Sequence, residues 1–183
     1  MQATRIKDVM VSLHEYETVF QEATLAEALV ILDKEQKKSD YSQRDDKTIL
    51  VIDKNYDVVG EISVFEILRV LEPKYEKLQV IALEFPSASK AKLFMVFKKL
   101  QLWEEPLKSI YAKATRLKVK DIMYVPSDVE RVDHYATLGD VLHRLVAGYQ
   151  HPLLVTRGGH ITGTLRMGDV FREIYNKNPT STP

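Results

Sequence analysis

The chain has 183 residues, 45% of them hydrophobic and 28% charged, which is enough for one domain with a sizeable core or two small ones. Lys+Arg and Asp+Glu balance at 26 each, against the basic excess of a nucleic-acid binder, and the lack of cysteine excludes disulfides, thiolate nucleophiles and cysteine metal sites. No apolar run approaches membrane-spanning length and the N-terminus lacks the apolar stretch of a secretion signal, so the expectation is a cytoplasmic protein with neither a membrane nor a nucleic-acid partner.

The first element is RIKDVM, residues 5–10, and it returns as KVKDIM, residues 118–123. The exchanges between the two keep charge or apolarity. A short extended stretch, TVFQ (18–21), follows. Next comes a helix start in ATLAEALVIL (23–32), where Thr24 and Glu27 fit a capping pattern and Leu25, Ala28, Leu29 and Leu32 share one face. The polar stretch 34–47 reads as an exposed loop or frayed helix end. TILVID (48–53) is an apolar strand, KNYD (54–57) a turn, VVGEIS (58–63) a second hairpin strand, and VFEILRVL (64–71) a helix.

Residues 73–117 have no internal counterpart. Pro73, Pro86 and Pro106 punctuate them. Residues 89–103 read as a helix with Ser89 as a cap, and Leu93-Phe94-Met95-Val96-Phe97 is apolar on all sides. Such a helix must be buried on more than one face, against both halves of the chain or against another chain.

From residue 118 the first pattern recurs. VERVD (129–133) is extended, and ATLGDVLHRL (136–145) repeats the capped helix with Thr137 and Asp140. Position 5 answers to 118 and position 23 to 136, so the two stretches agree in register. PLLVTR (152–157) answers TILVID at a shorter spacing, which assigns the extra residues of the first copy to the polar stretch before its strand. Gly158-Gly159 is a hairpin turn, ITGTLR (161–166) the returning strand, and MGDVFREIYN (167–176) the last helix. The unit strand–helix–strand–strand–helix therefore occurs twice.

This twofold pattern resembles the CBS domain, the βαββα module named after cystathionine β-synthase, which comes in tandem pairs called Bateman modules. The resemblance rests on the opening KDxM segments, the apolar strands and the Gly60–Glu66 and Gly163–Asp169 ends, of the form G-h-h-S/T-x-x-D with h apolar. It covers roughly residues 5–72 and 118–177. It implies an α/β (α+β) fold of two βαββα repeats related by a pseudo-twofold axis. Repeat 1 then spans residues 1–72, a helical linker 73–117, repeat 2 118–177 and a flexible tail 178–183.

The family commonly binds adenosine compounds such as AMP, ADP or ATP between its repeats. By that resemblance, one nucleotide site comprises Asp169 for the ribose, Arg166 for the phosphate, Thr164, and Gly168 for close approach of the backbone. Tyr124, Val125, Pro126, His151 and Pro152 line its base pocket. Arg166 replaces the usual hydroxyl and supplies a bidentate phosphate donor. Ser63 and Glu66 form a second, weaker site, because the carboxylate is longer, Glu61 adds negative charge, and Ser63–Glu66 is a capping box in its own right. No metal site is expected, since His14, His134, His143, His151 and His160 make no tight ligand spacing. With no glycine-rich phosphate loop and no nucleophile elbow, an enzyme is not expected either. The expected protein is a regulatory sensor acting through a protein partner, assembled as a homodimer. The alternative is an interaction scaffold with empty clefts.

Overall fold

The computed structural model describes residues 4–38, 48–72, 74, 95, 98–102, 104–146 and 151–177. The first copy builds a three-stranded sheet. Strand β2 (Thr18–Phe20) runs parallel to β3 (Thr48–Ile52), and β3 pairs antiparallel with β4 (Val58–Ser63). Between them lies helix α1 (Leu25–Lys38), and α2 (Val64–Leu71) follows β4. Every residue of β3 is buried, as the apolar run Ile49–Ile52 requires of a central strand covered on both faces.

The second copy repeats the order. Strand β5 (Arg131–Asp133) runs parallel to β6 (Leu153–Arg157), which pairs antiparallel with β7 (His160–Leu165). Helix α4 (Leu138–Val146) connects β5 to β6, and α5 (Met167–Asn176) closes the unit. The β6–β7 turn uses Gly158 and Gly159 at φ of 59° and 85°, as the Gly-Gly hairpin predicts. The extended reading of VERVD holds only from Arg131, because Asp128–Glu130 is a 3-10 turn whose Ser127 and Glu130 close a capping box.

Both predicted helix caps form. The Thr24 amide and hydroxyl donate to Glu27, and those of Thr137 donate to Asp140. Each helix turns its apolar face onto its sheet. One core gathers Leu25, Ala28, Leu32, Ile49, Val51, Ile62 and Ile67; the other gathers Leu138, Val141, Leu145, Leu153, Val155, Leu165 and Val170. Burying each such Leu, Ile or Val contributes roughly 1.5–3 kcal/mol.

The two opening segments are exchanged. Ile6, from RIKDVM, is fully buried in the second core, and Val119, from KVKDIM, is fully buried in the first. The amide of Ile6 donates to the Ala136 carbonyl and that of Val119 to the Ala23 carbonyl. The short strand β1 (Val11–Ser12) extends the second copy's sheet, antiparallel to β7, giving the order β1-β7-β6-β5.

In the linker, helix α3 (Leu107–Ala114) begins after Pro106, was not foreseen from sequence, and buries Ala114 in the first core. Of the apolar run 93–97 only Met95 is described; it is helical and 60% exposed. Leu93, Phe94, Val96 and Phe97, and the tail 178–183, lie outside the described residues.

Candidate ligand cleft

The residues singled out by sequence converge on two strand–helix junctions, β4–α2 and β7–α5. At the first, the Ser63 amide donates to Glu66 at 2.9 Å, its hydroxyl also bonds Glu66, and its oxygen accepts from the Phe65 amide. At the second, the Arg166 amide donates to Asp169 at 2.9 Å, and Arg172 stands 3.7 Å from the other carboxylate oxygen. Glu66 and Asp169 are both buried, at 4% and 7% exposure. Each carboxylate thus sits over a helix N-terminus, where the free amides and the helix dipole favour negative charge.

What covers the two junctions differs. Over β7–α5, Tyr16 comes from the first copy's opening loop. Its hydroxyl and that of the fully buried Thr164 hydrogen-bond at 2.5 Å, and the Arg166 guanidinium lies over its ring at 5.1 Å. Over β4–α2, the covering residue is Tyr124. It exchanges two backbone hydrogen bonds with Glu61, of 2.8 and 2.9 Å. Its ring stacks on His151 with centroids 3.7 Å apart and planes within 2°, and its hydroxyl donates to Glu130 at 2.6 Å. His151 Nδ1 in turn meets Glu61 Oε1 at 2.7 Å.

Close backbone approach makes both covers feasible. A Cβ on Gly60 would lie 2.7 Å from the Tyr124 carbonyl oxygen, and one on Gly163 would press on the Val11 carbonyl. Only glycine lets the exchanged segment pack directly on the strand.

Titration behaviour follows from this packing. Burial pushes the Glu61 carboxyl above its usual range, against the lowering pull of His151. The hydrogen bond to Glu61 raises His151. At Glu130, burial works upward, but hydrogen bonds from Ser127 and Tyr124 prevail and hold the carboxyl low.

Thr164, Arg166, Gly168 and Asp169 are therefore together at β7–α5, with Gly168 exposed and open in front of it. Tyr124 and His151 are also together, but on Glu61, two residues before Ser63. Pro126 and Pro152 are buried, and Val125 is 61% exposed. Sequence reasoning did not single out Tyr16, and it read Glu61 only as added charge. The register was a usable signal for Glu61, because it stands after Gly60 as Thr164 stands after Gly163. Among the described residues, no group of at least three His, Cys, Asp or Glu can hold a metal ion, and no helix is long and apolar enough to cross a membrane.

No family model and no curated protein matches the chain. Solved structures do. The chain is similar to the CBS-pair protein CBSX2 from Arabidopsis thaliana at 19% identity and a TM-score of 0.60, over 94% of this chain and 95% of that one. It is similar to CBSX2 in complex with AMP at 18% identity and a TM-score of 0.57, over 95% of this chain and 98% of that one. The CBS domain of a bacterial CNNM/CorC family Mg2+ transporter in complex with ATP matches at 18% identity and a TM-score of 0.56, over 94% of this chain and 88% of that one. The chain has the fold of a tandem CBS-domain pair.

Proposed function

We propose that the chain is a regulatory module that binds an adenosine-type nucleotide, AMP, ADP or ATP, in the β7–α5 cleft and signals to a protein partner. The observation that carries this reading is that the buried Asp169 carboxylate, held by the Arg166 backbone amide, and the Arg166 guanidinium, lying over the Tyr16 ring, belong to the same strand–helix junction at the first turn of α5. The carboxylate can accept the ribose hydroxyls, and the guanidinium can donate two parallel hydrogen bonds to phosphate. Fold neighbours with AMP and with ATP bound support the ligand class. The β4–α2 cleft is the weaker site, since Ser63 is engaged with Glu66, and Glu61 and Glu130 add carboxylates.

Calorimetric titration of AMP, ADP and ATP into wild type, Asp169→Asn and Glu66→Gln is the test. A phosphate at Arg166 gains charge-assisted hydrogen bonds of about 1.5–3 kcal/mol. The expected outcome is binding by wild type, tenfold or more weaker binding for Asp169→Asn (about 1.4 kcal/mol), and little change for Glu66→Gln. Loss only in Glu66→Gln reverses the ranking. No heat with AMP, ADP or ATP removes the sensor reading.

A second reading, an interaction scaffold, is favoured by one observation. Helices α2 and α5 expose Phe65, Leu68, Met167, Phe171, Ile174 and Tyr175. Both readings require a partner surface and differ in whether the clefts are filled.

A further inference from the structure

The two junctions are clasped in the same way but with different chemistry. After each strand glycine, one side chain is gripped across the copies. Thr164 is held by Tyr16, two hydroxyls, and Glu61 is held by His151, a carboxyl and an imidazole. Only the second clasp can gain or lose a proton near neutral pH.

We propose that Glu61 and His151 form a proton-operated clasp between the two copies, closed when His151 is protonated and loosened when it is neutral. The geometry confines the pair. Glu61 is 1% exposed, and its Oε2 is buried with no hydrogen-bond partner. An ionised Glu61 therefore depends on cationic neighbours for its compensation, and a buried carboxylate that loses its cation is costly. Protonated His151 is also held on its face by the Tyr124 ring, and Glu130 anchors that ring through its hydroxyl.

The charged groups around the pair reinforce this sense. Glu66 on α2 and Glu130 in the turn before β5 favour the imidazolium. For Glu61, Arg166 before α5 favours the charged form and Glu66 disfavours it. Both members of the pair titrate above their ordinary values of 4.5 and 6.5. A raised folded value means stability that is complete below the unfolded value and is lost as pH rises through the folded one. Both groups therefore make the fold less stable as pH rises, and the deprotonation of His151, which leaves the Glu61 carboxylate without its cation, is the step that loosens the clasp. The loss from Glu61 begins above 4.5 and that from His151 above 6.5. The Thr164–Tyr16 clasp has no such dependence and serves as the internal comparison.

The inference does not rest on nucleotide binding, so it is tested on ligand-free protein. Thermal midpoints of wild type, Glu61→Gln and Tyr16→Phe are compared from about pH 6 to about pH 8.5, on either side of the ordinary histidine value. The wild-type midpoint is expected to fall with rising pH, Glu61→Gln, which removes the buried carboxyl and its hold on His151 together, to flatten that slope, and Tyr16→Phe to run parallel to wild type. Hydrogen exchange supplies the conformational readout. Beyond the intrinsic pH effect, the backbone amides of positions 61 and 124 should lose protection at high pH in wild type but not in Glu61→Gln. If Glu61→Gln does not fold, NMR titration of the wild-type His151 imidazole decides, with His151 titrating above its ordinary value of 6.5. Parallel wild-type and Glu61→Gln curves, or a His151 that titrates at or below its ordinary value, overturn the proposal.

Discussion

Gly60 and Gly163 are where single atoms decide the architecture. Each lets an exchanged segment lie against a strand, with Met123-Tyr124 over Gly60 and Met10-Val11 over Gly163. A Cβ at either site meets backbone, which cannot rotate away. Gly60→Ala and Gly163→Ala should each cost about 1–3 kcal/mol through overpacking. Gly168 is the control. A Cβ there meets nothing within 4 Å, in the first turn of a helix, so Gly168→Ala should be stabilising by about 0.4–1 kcal/mol. Urea denaturation midpoints measure all three. An unchanged midpoint for Gly60→Ala would show that the Tyr124 segment yields easily and is not tightly seated.

Among the elements, the exchanged opening segments have the widest consequence. Ile6 is fully buried in the core built by α4, β6 and α5, and Val119 in the core built by α1, β3 and α2. Each sheet is therefore sealed by residues far away in sequence. Ile6→Ala should cost about 2–5 kcal/mol, and Val119→Ala less because fewer buried atoms are removed. The damage should be crossed. Ile6→Ala should first loosen amide protection in Leu153–Val155, and Val119→Ala that in Ile49–Val51. Hydrogen exchange mapped by NMR reads this directly, and loss confined to the variant's own copy would refute the crossed arrangement.

At the scale of the whole molecule, the unspent apolar surface points to assembly. In the repeat register Leu68 on α2 answers to Phe171 on α5, and both are exposed, at 46% and 70%. Exposed apolar residues on two equivalent helices are the expected contact for assembly, and a twofold dimer with a second copy of the chain is the outcome predicted from them. Light scattering at micromolar concentration should give a dimer. Phe171→Asp should shift it to monomer with little change in thermal midpoint, because Phe171 adds little to the fold of a single chain. Monomeric wild-type protein would rule this assembly out.

Much of the fold was legible in the sequence because it is local. The caps at Thr24 and Thr137, the Gly158-Gly159 hairpin, the buried run of β3 and the repetition itself depend on residues a few positions apart. Helix α3 escaped because only Pro106 marks its start and no apolar periodicity announces it. At the junctions, the Ser63–Glu66 capping box was legible for the same local reason, whereas Arg166 and Asp169 were singled out by the family resemblance and not by their local bond. The exchange of opening segments was not legible. RIKDVM and KVKDIM are nearly interchangeable, and Gly60 and Gly163 give both sheets the same close approach, so local chemistry gives either segment no preference between the two cores; the choice is made only in the tertiary structure. Tyr16 on Thr164, and Tyr124 and His151 on Glu61, follow from that choice. Their positions are far apart in sequence, and what joins them is tertiary packing, which decides which charges share a low-dielectric cleft and which remain in water.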